Sequence, residues 1–187
     1  MNDHTDTRLT PATVPSREFW GMTPFRFGIP DGWSARPTTQ HLVYFERDGD
    51  PATNCAITWK RVSASMDLPR VATMNMAAHK HQAQTIAVAY SKYGKLNGRM
   101  AYSRVAKLTL PSRDGGEPTE IGQTYTAFLG PVVGDDHPVE LFEITGHFPP
   151  DAAAEPMADL EKIVLSFEFN AVVVGAADAP DAAAKGA

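Results

Sequence analysis

The chain has 187 residues, 43% of them hydrophobic and 21% charged, which is enough for one domain with a real core and short for two. Its net charge of −5 excludes the basic footprint of a nucleic-acid-binding surface. One cysteine, Cys55, excludes an internal disulfide and a cysteine-built zinc site, and no stretch approaches the roughly 18 consecutive apolar residues that span a membrane.

Residues 1–17 are polar and rich in Pro and Thr, and read as a flexible tail ahead of a single domain at 18–170. They have no apolar core suited to a secretion signal, so the expected location is the cytoplasm, unless an export segment has been removed. Apolar residues then recur at every second position: Phe25, Phe27 and Ile29; Val43 and Phe45; Cys55, Ile57 and Trp59. The first of these strands stops at Pro30-Asp31-Gly32, which suits a type I turn. Trp33 after it reads as an apolar lid whose indole N–H needs one partner.

A helix is predicted at about 67–84, with Asp67 as its cap, Pro69 in its first turn and Leu68, Val71, Ala72, Met76 and His79 on one face. Four more strands follow at 86–90, 99–110, 121–130 and 139–147. Gly94 with Asn97-Gly98, Arg113 to Gly116, and Gly134 to Asp136 supply turns between them. A second helix, at about 152–166 with Asp151 as cap candidate, turns Met157, Leu160, Ile163, Val164 and Phe167 to one side. Residues 171–187 are Ala-rich and read as a second flexible tail, apart from the apolar run at Ala171 to Val174. Seven acids against two lysines fall from Asp151 onward, so the acid excess sits in the last fifth of the chain, as a solvated surface or a docking face for a basic partner. The predicted class is α+β: an antiparallel sheet of about six to seven strands between two helices.

No constellation points to a reaction. His79 and His81 are two apart on a helix and diverge by about 200°, so they do not make a metal pair. Glu140 and Glu143, three apart on a strand, face opposite sides of the sheet. Asp135, Asp136 and His137 could serve a cation, yet a turn of Asp and Gly needs them for backbone reasons alone. There is no Gly-x-Ser-x-Gly elbow and no phosphate-cradling Gly motif, and Cys55 reads as a small apolar residue.

The pieces Phe25, Phe27, Ile29, Pro30, Gly32 and Trp33 at one end, and Leu160, Ile163, Ser166, Phe167 and Phe169 at the other, resemble the PsbP-like superfamily, the α/β sandwich of the DcrB, LpqN and Eag-chaperone type. The resemblance covers roughly 18–170. It implies an antiparallel sheet between helical layers and a function by binding, with no shared catalytic residues to carry over. The expected function is therefore a non-catalytic, protein-binding adaptor or chaperone, possessing no cofactor and associated with a secretion or assembly system. The alternative is a module that takes a small molecule or lipid in a pocket between the sheet and the long helix, lined by Met74, Met76, Phe128 and Phe142. The binding candidates are Trp20, Trp33, Trp59, Tyr44, Met74, Phe128 and Phe142, because the aromatic-rich strands carry more rings than a core needs. The expected partner is a protein, with no nucleic acid and no membrane span, and exposed sheet edges also allow a homodimer.

Overall fold

In chain order the computed structural model, which describes residues 9–14, 22–112, 114–130 and 139–170, places strands β1 (Leu9–Val14), β2 (Phe25–Pro30), β3 (Trp33–Arg36), β4 (Val43–Arg47) and β5 (Asp50–Val62) before helix α1 (Leu68–Gln82). Strands β6 (Thr85–Leu96), β7 (Arg99–Leu110), β8 (Thr119–Leu129) and β9 (Val139–Phe148) follow. Helix α2 (Ala154–Ser166) and the short β10 (Glu168–Phe169) close the described chain. Seven strands form one antiparallel sheet in the order β3-β4-β5-β9-β8-β7-β6, and β1-β2-β10 form a second, small one. The class is α+β, as the hairpin-linked alternation predicts.

Alternation divides the core in two. On one face of the large sheet Val43, Phe45, Ile57, Phe128, Phe142 and Ile144 meet Leu160 and Ile163 of α2 and Phe25 and Phe27 of β2. On the other, Tyr102, Tyr125, Ala127 and Leu141 meet Val71 and Ala72 of α1. α1 starts where its cap predicts: the Asp67 side chain accepts a 2.8 Å bond from the Arg70 N–H, and Leu68, Val71 and Ala72 are its buried residues.

The sequence misplaces several boundaries. Residues 9–14, read as part of a polar tail, pair antiparallel with β2, with Leu9 opposite Pro30 and Val14 opposite Phe25. Pro11 is tolerated there because an edge strand leaves half its N–H groups unpaired. Gly94, read as a turn residue, lies inside β6 opposite Ala101; the turn is Asn97-Gly98 alone, with φ of 48° and 80°, the left-handed pair of a tight hairpin. Asp151 does not cap α2. Pro149 and Pro150 wind that segment into a 3-10 turn at Pro150–Ala152, so the α-helix starts at Ala154, after an Ala153 cap with no side-chain bond.

The corner after β2 keeps its structural meaning. Gly32, at φ 73°, carries the chain from the small sheet into the large one, and Trp33 opens β3, buried in the same cluster as Phe25 and Phe27 of β2. Its indole N–H donates to Asp159 Oδ2 of α2 at 3.2 Å. Trp20, the turn at 134–136 with His137, and residues 171–187 with their apolar run lie outside the described residues.

Candidate functional site

The sequence-derived binding residues do not converge. Phe128 and Phe142 are 2% and 0% exposed, with rings stacked at 5.9 Å beneath α2. Met74 and Met76 lie on α1, over the opposite face of the sheet, so the expected pocket of these four does not assemble. Met74 itself is 60% exposed. Trp33 is buried. Trp59 is partly buried, its N–H donating to Glu140 Oε1 at 3.1 Å, and Tyr44 lies under the Arg36 guanidinium at 5.3 Å. Burial first, and Glu46 second, push the Tyr44 hydroxyl above its ordinary range.

Two carboxylates in this region, Glu140 buried and Glu143 partly buried, serve packing. Glu140 accepts the Thr23 backbone N–H through both oxygens, at 3.1 and 3.0 Å, and the Thr23 hydroxyl as well, which docks the approach to β2 onto β9. Glu143 faces the other side of the sheet, where it accepts from the Tyr125 hydroxyl at 2.6 Å and pairs with Lys60 at 2.7 Å. Their separation by the sheet keeps them from acting together. Among the described residues there is no group of three or more His, Cys, Asp or Glu placed to hold a metal ion. Cys55 is 1% exposed, and burial pushes its thiol up to about 12.

The open space lies elsewhere. Seven strands at about 4.8 Å spacing span about 29 Å, and a helix about 10 Å wide cannot cover that breadth. α2 and the small sheet cover β4, β5 and β9, which leaves the faces of β6, β7 and part of β8 beside the rim of α2 as a cleft of about 760 Å³. Tyr90, Lys92 and Leu96 of β6 and Val105 of β7 form its sheet wall, Thr124 and Thr126 of β8 its floor, and Met157, Ala158, Glu161 and Leu165 of α2 its helix wall. Gly146 lets α2 sit close enough to form that wall, since a Cβ there would come within 2.6 Å of Leu160 Cδ2. The hairpin after β6 is tied to the end of α2: Asn97 Nδ2 donates to the Leu165 carbonyl at 3.3 Å and to that of Phe167. Of the six large apolar side chains exposed among the described residues, Tyr90 and Leu165 line this cleft, whereas Val88, Tyr93 and Met100 stand by register on the other face of β6 and β7.

Beneath α1 lies a buried polar network. Arg104, 1% exposed, donates through Nη2 to Asn75 Oδ1 of α1 at 2.9 Å and to Gln123 Oε1 at 3.0 Å, with its guanidinium over the Tyr125 ring. Its Nε has no partner among the described residues. Gln123 continues to His147 Nε2 at 3.1 Å, and His147 Nδ1 to Asn54 at 3.3 Å. Burial lowers the pKa of His147, with His79 adding to it; burial and then Arg104 lower that of His79, against a smaller raising by Glu143. Both histidines are thus held neutral in the fold. The unfolded chain takes up their protons below about pH 6.5, so their contribution is full above that value and is lost as pH falls. Melting temperature is expected to drop between pH 7.5 and 5, and His147→Gln, which keeps both hydrogen-bond roles, to flatten the drop; parallel profiles for the two proteins would contradict it.

Sequence reasoning passed over Tyr90, Lys92, Val105 and Leu165, because the cleft depends on which strands α2 leaves bare. A signal for Arg104 was present: it shares the inward face with Tyr102 and Ala106 in the alternation of β7.

No protein-family model matches the chain, and no curated protein matches it in sequence. Solved structures do resemble it. LpqN, involved in cell envelope biogenesis of Mycobacterium tuberculosis, aligns with a TM-score of 0.66 at 13% identity, over 88% of this chain and 93% of that one. Cyanobacterial PsbP from Synechocystis sp. PCC 6803 gives 0.57 at 11% identity, over 91% and 98%. The Ran-binding protein Mog1p of Saccharomyces cerevisiae gives 0.51 at 7%, over 87% and 96%. The fold is the PsbP-like one that the Phe25 to Trp33 and Leu160 to Phe169 motifs resemble.

Proposed function

We propose that the protein is a non-catalytic binding protein, an adaptor or chaperone that holds a segment of another protein at the cleft between α2 and β6 to β8. The observation that carries this reading is the cleft itself, with the exposed Tyr90 on its sheet wall and the exposed Leu165 on its helix wall, a concave site with apolar side chains at the edge of the sheet. Mog1p, a protein of the same fold, is a Ran-binding protein, which is consistent with a protein partner here.

A photo-crosslinking residue in place of Tyr90, used in cells, tests it. Protein-sized adducts are expected at that position and not at Thr73 on the exposed side of α1. The double variant Tyr90→Ala, Leu165→Arg is expected to lose the same partner while its stability stays within about 0.5 kcal/mol of wild type, as both side chains are largely exposed. Adducts at both positions alike, or at neither, would remove the reading.

The cleft volume of about 760 Å³ also falls within the range of small-molecule sites, about 300–1,000 Å³, and supports a second reading as an apolar-ligand module. Native mass spectrometry separates the two, since a co-purified mass below about 1 kDa that the double variant loses would favour the ligand.

A further inference from the structure

We propose that the partner segment binds in extended form along β6, adding a strand to the large sheet, and that the segment it fits alternates apolar side chains with at least one carboxylate. This rests on the protein-binding reading above. The two edges of the large sheet differ in a way that points to β6. β3 is 4 residues long and is followed by Pro37, a short edge of the kind that resists pairing. β6 is 12 residues long, contains no proline and, among the described residues, has β7 alone beside it. Its register with β7 shifts between Val88 and Tyr90 and is unbroken from Tyr90 to Leu96. Over that stretch Tyr90, Lys92 and Leu96 share the cleft face with Val105, so every second side chain of an added strand would enter the cleft beside α2.

Charge selects among such strands. Lys92 and Lys95 are exposed and form no ion pair among the described residues; Lys92 rests over the Tyr90 ring, its Nζ 5.6 Å from the centroid. The two lysines lie on opposite faces of the sheet, so a carboxylate on either face of an added strand meets a cation. Glu161, the one acid lining the cleft among the described residues, sits exposed on α2 and disfavours a carboxylate on the helix side, which leaves the lysine side of the strand for it. A second copy of this chain fits less well, because its β6 would bring two more lysines and no acid to the same edge.

Fluorescence anisotropy with labelled seven-residue peptides, on the full chain, tests the proposal. One peptide alternates valine with glutamate, a second valine with lysine, and a third is the first with N-methyl groups on alternate amides, made in both phases. The glutamate peptide is expected to bind at least tenfold tighter than the lysine and N-methylated peptides. Lys92→Glu is expected to weaken it at least tenfold and to strengthen the lysine peptide, with melting unchanged. Equal binding after N-methylation overturns strand addition, and equal binding of the lysine peptide overturns the charge preference. Self-association through β6 that the glutamate peptide does not reverse gives the edge to a second copy and overturns the proposal as well. If no peptide binds, strand addition falls, while the Tyr90 crosslink independently decides whether a protein is held there.

Discussion

Phe142→Ala is expected to lower stability by about 4 kcal/mol, within the range for truncating a buried Phe. The side chain has no solvent exposure, and its ring meets those of Phe25 at 5.5 Å, Phe167 at 5.8 Å and Phe169 at 5.1 Å besides Phe128. These neighbours belong to β2, β8 and the segment after α2, and each is fixed by its own element, so the void cannot close without moving several at once. For a domain of this size the loss corresponds to a melting temperature lower by about 12 °C, read by far-ultraviolet circular dichroism. Phe142→Leu should cost less, about 1.5 kcal/mol, because it refills most of the volume. A Phe142→Ala protein that melts like wild type but loses its partner would return this residue to the binding surface.

Trp33→Ala is expected to cost about 3 kcal/mol, combining lost burial with the loss of the bond to Asp159. Trp33→Phe separates the two contributions: it keeps an apolar ring and should cost about 1 kcal/mol, the usual worth of one hydrogen bond. In chemical denaturation, a double-mutant cycle with Asp159→Ala isolates the coupling between β3 and α2. Independence of the two sites would mean that Lys162, 3.3 Å from the other Asp159 oxygen, already satisfies the carboxylate.

These two residues show where the sequence was legible. Phe25, Phe27, Phe45 and Ile57 alternate because one face of each strand is buried, and burial is what periodicity records. Asp67 announces α1 because its side chain bonds the backbone locally. The parts that were not legible have non-local causes. Asp50 to Asn54 extend β5 although they are mostly polar, since Asp50 and Asn54 pair with Arg47 and Glu46 of β4 on either side of a break in register. β10 is two residues long and exists because β2 offers it an edge. Phe128, Phe142 and Trp33 carry rings of the type found at interfaces, and only the packing of α2 shows that they are interior. Tyr90 and Leu165 are left bare by the same packing.

The partners of β2 come from opposite ends of the described chain, with Arg26 opposite Glu168 across 142 positions of sequence and Ala12 opposite Phe27. Among the described elements, the small sheet is therefore the last that synthesis can complete. Until residues 168–169 have left the ribosome, Phe25 and Phe27 must wait for the helix and strand that cover them, and the loop to be closed is nearly the length of the domain. Contacts of such separation slow folding and prolong the exposure of β2, the period in which a nascent chain is most open to mispairing or to capture by a chaperone.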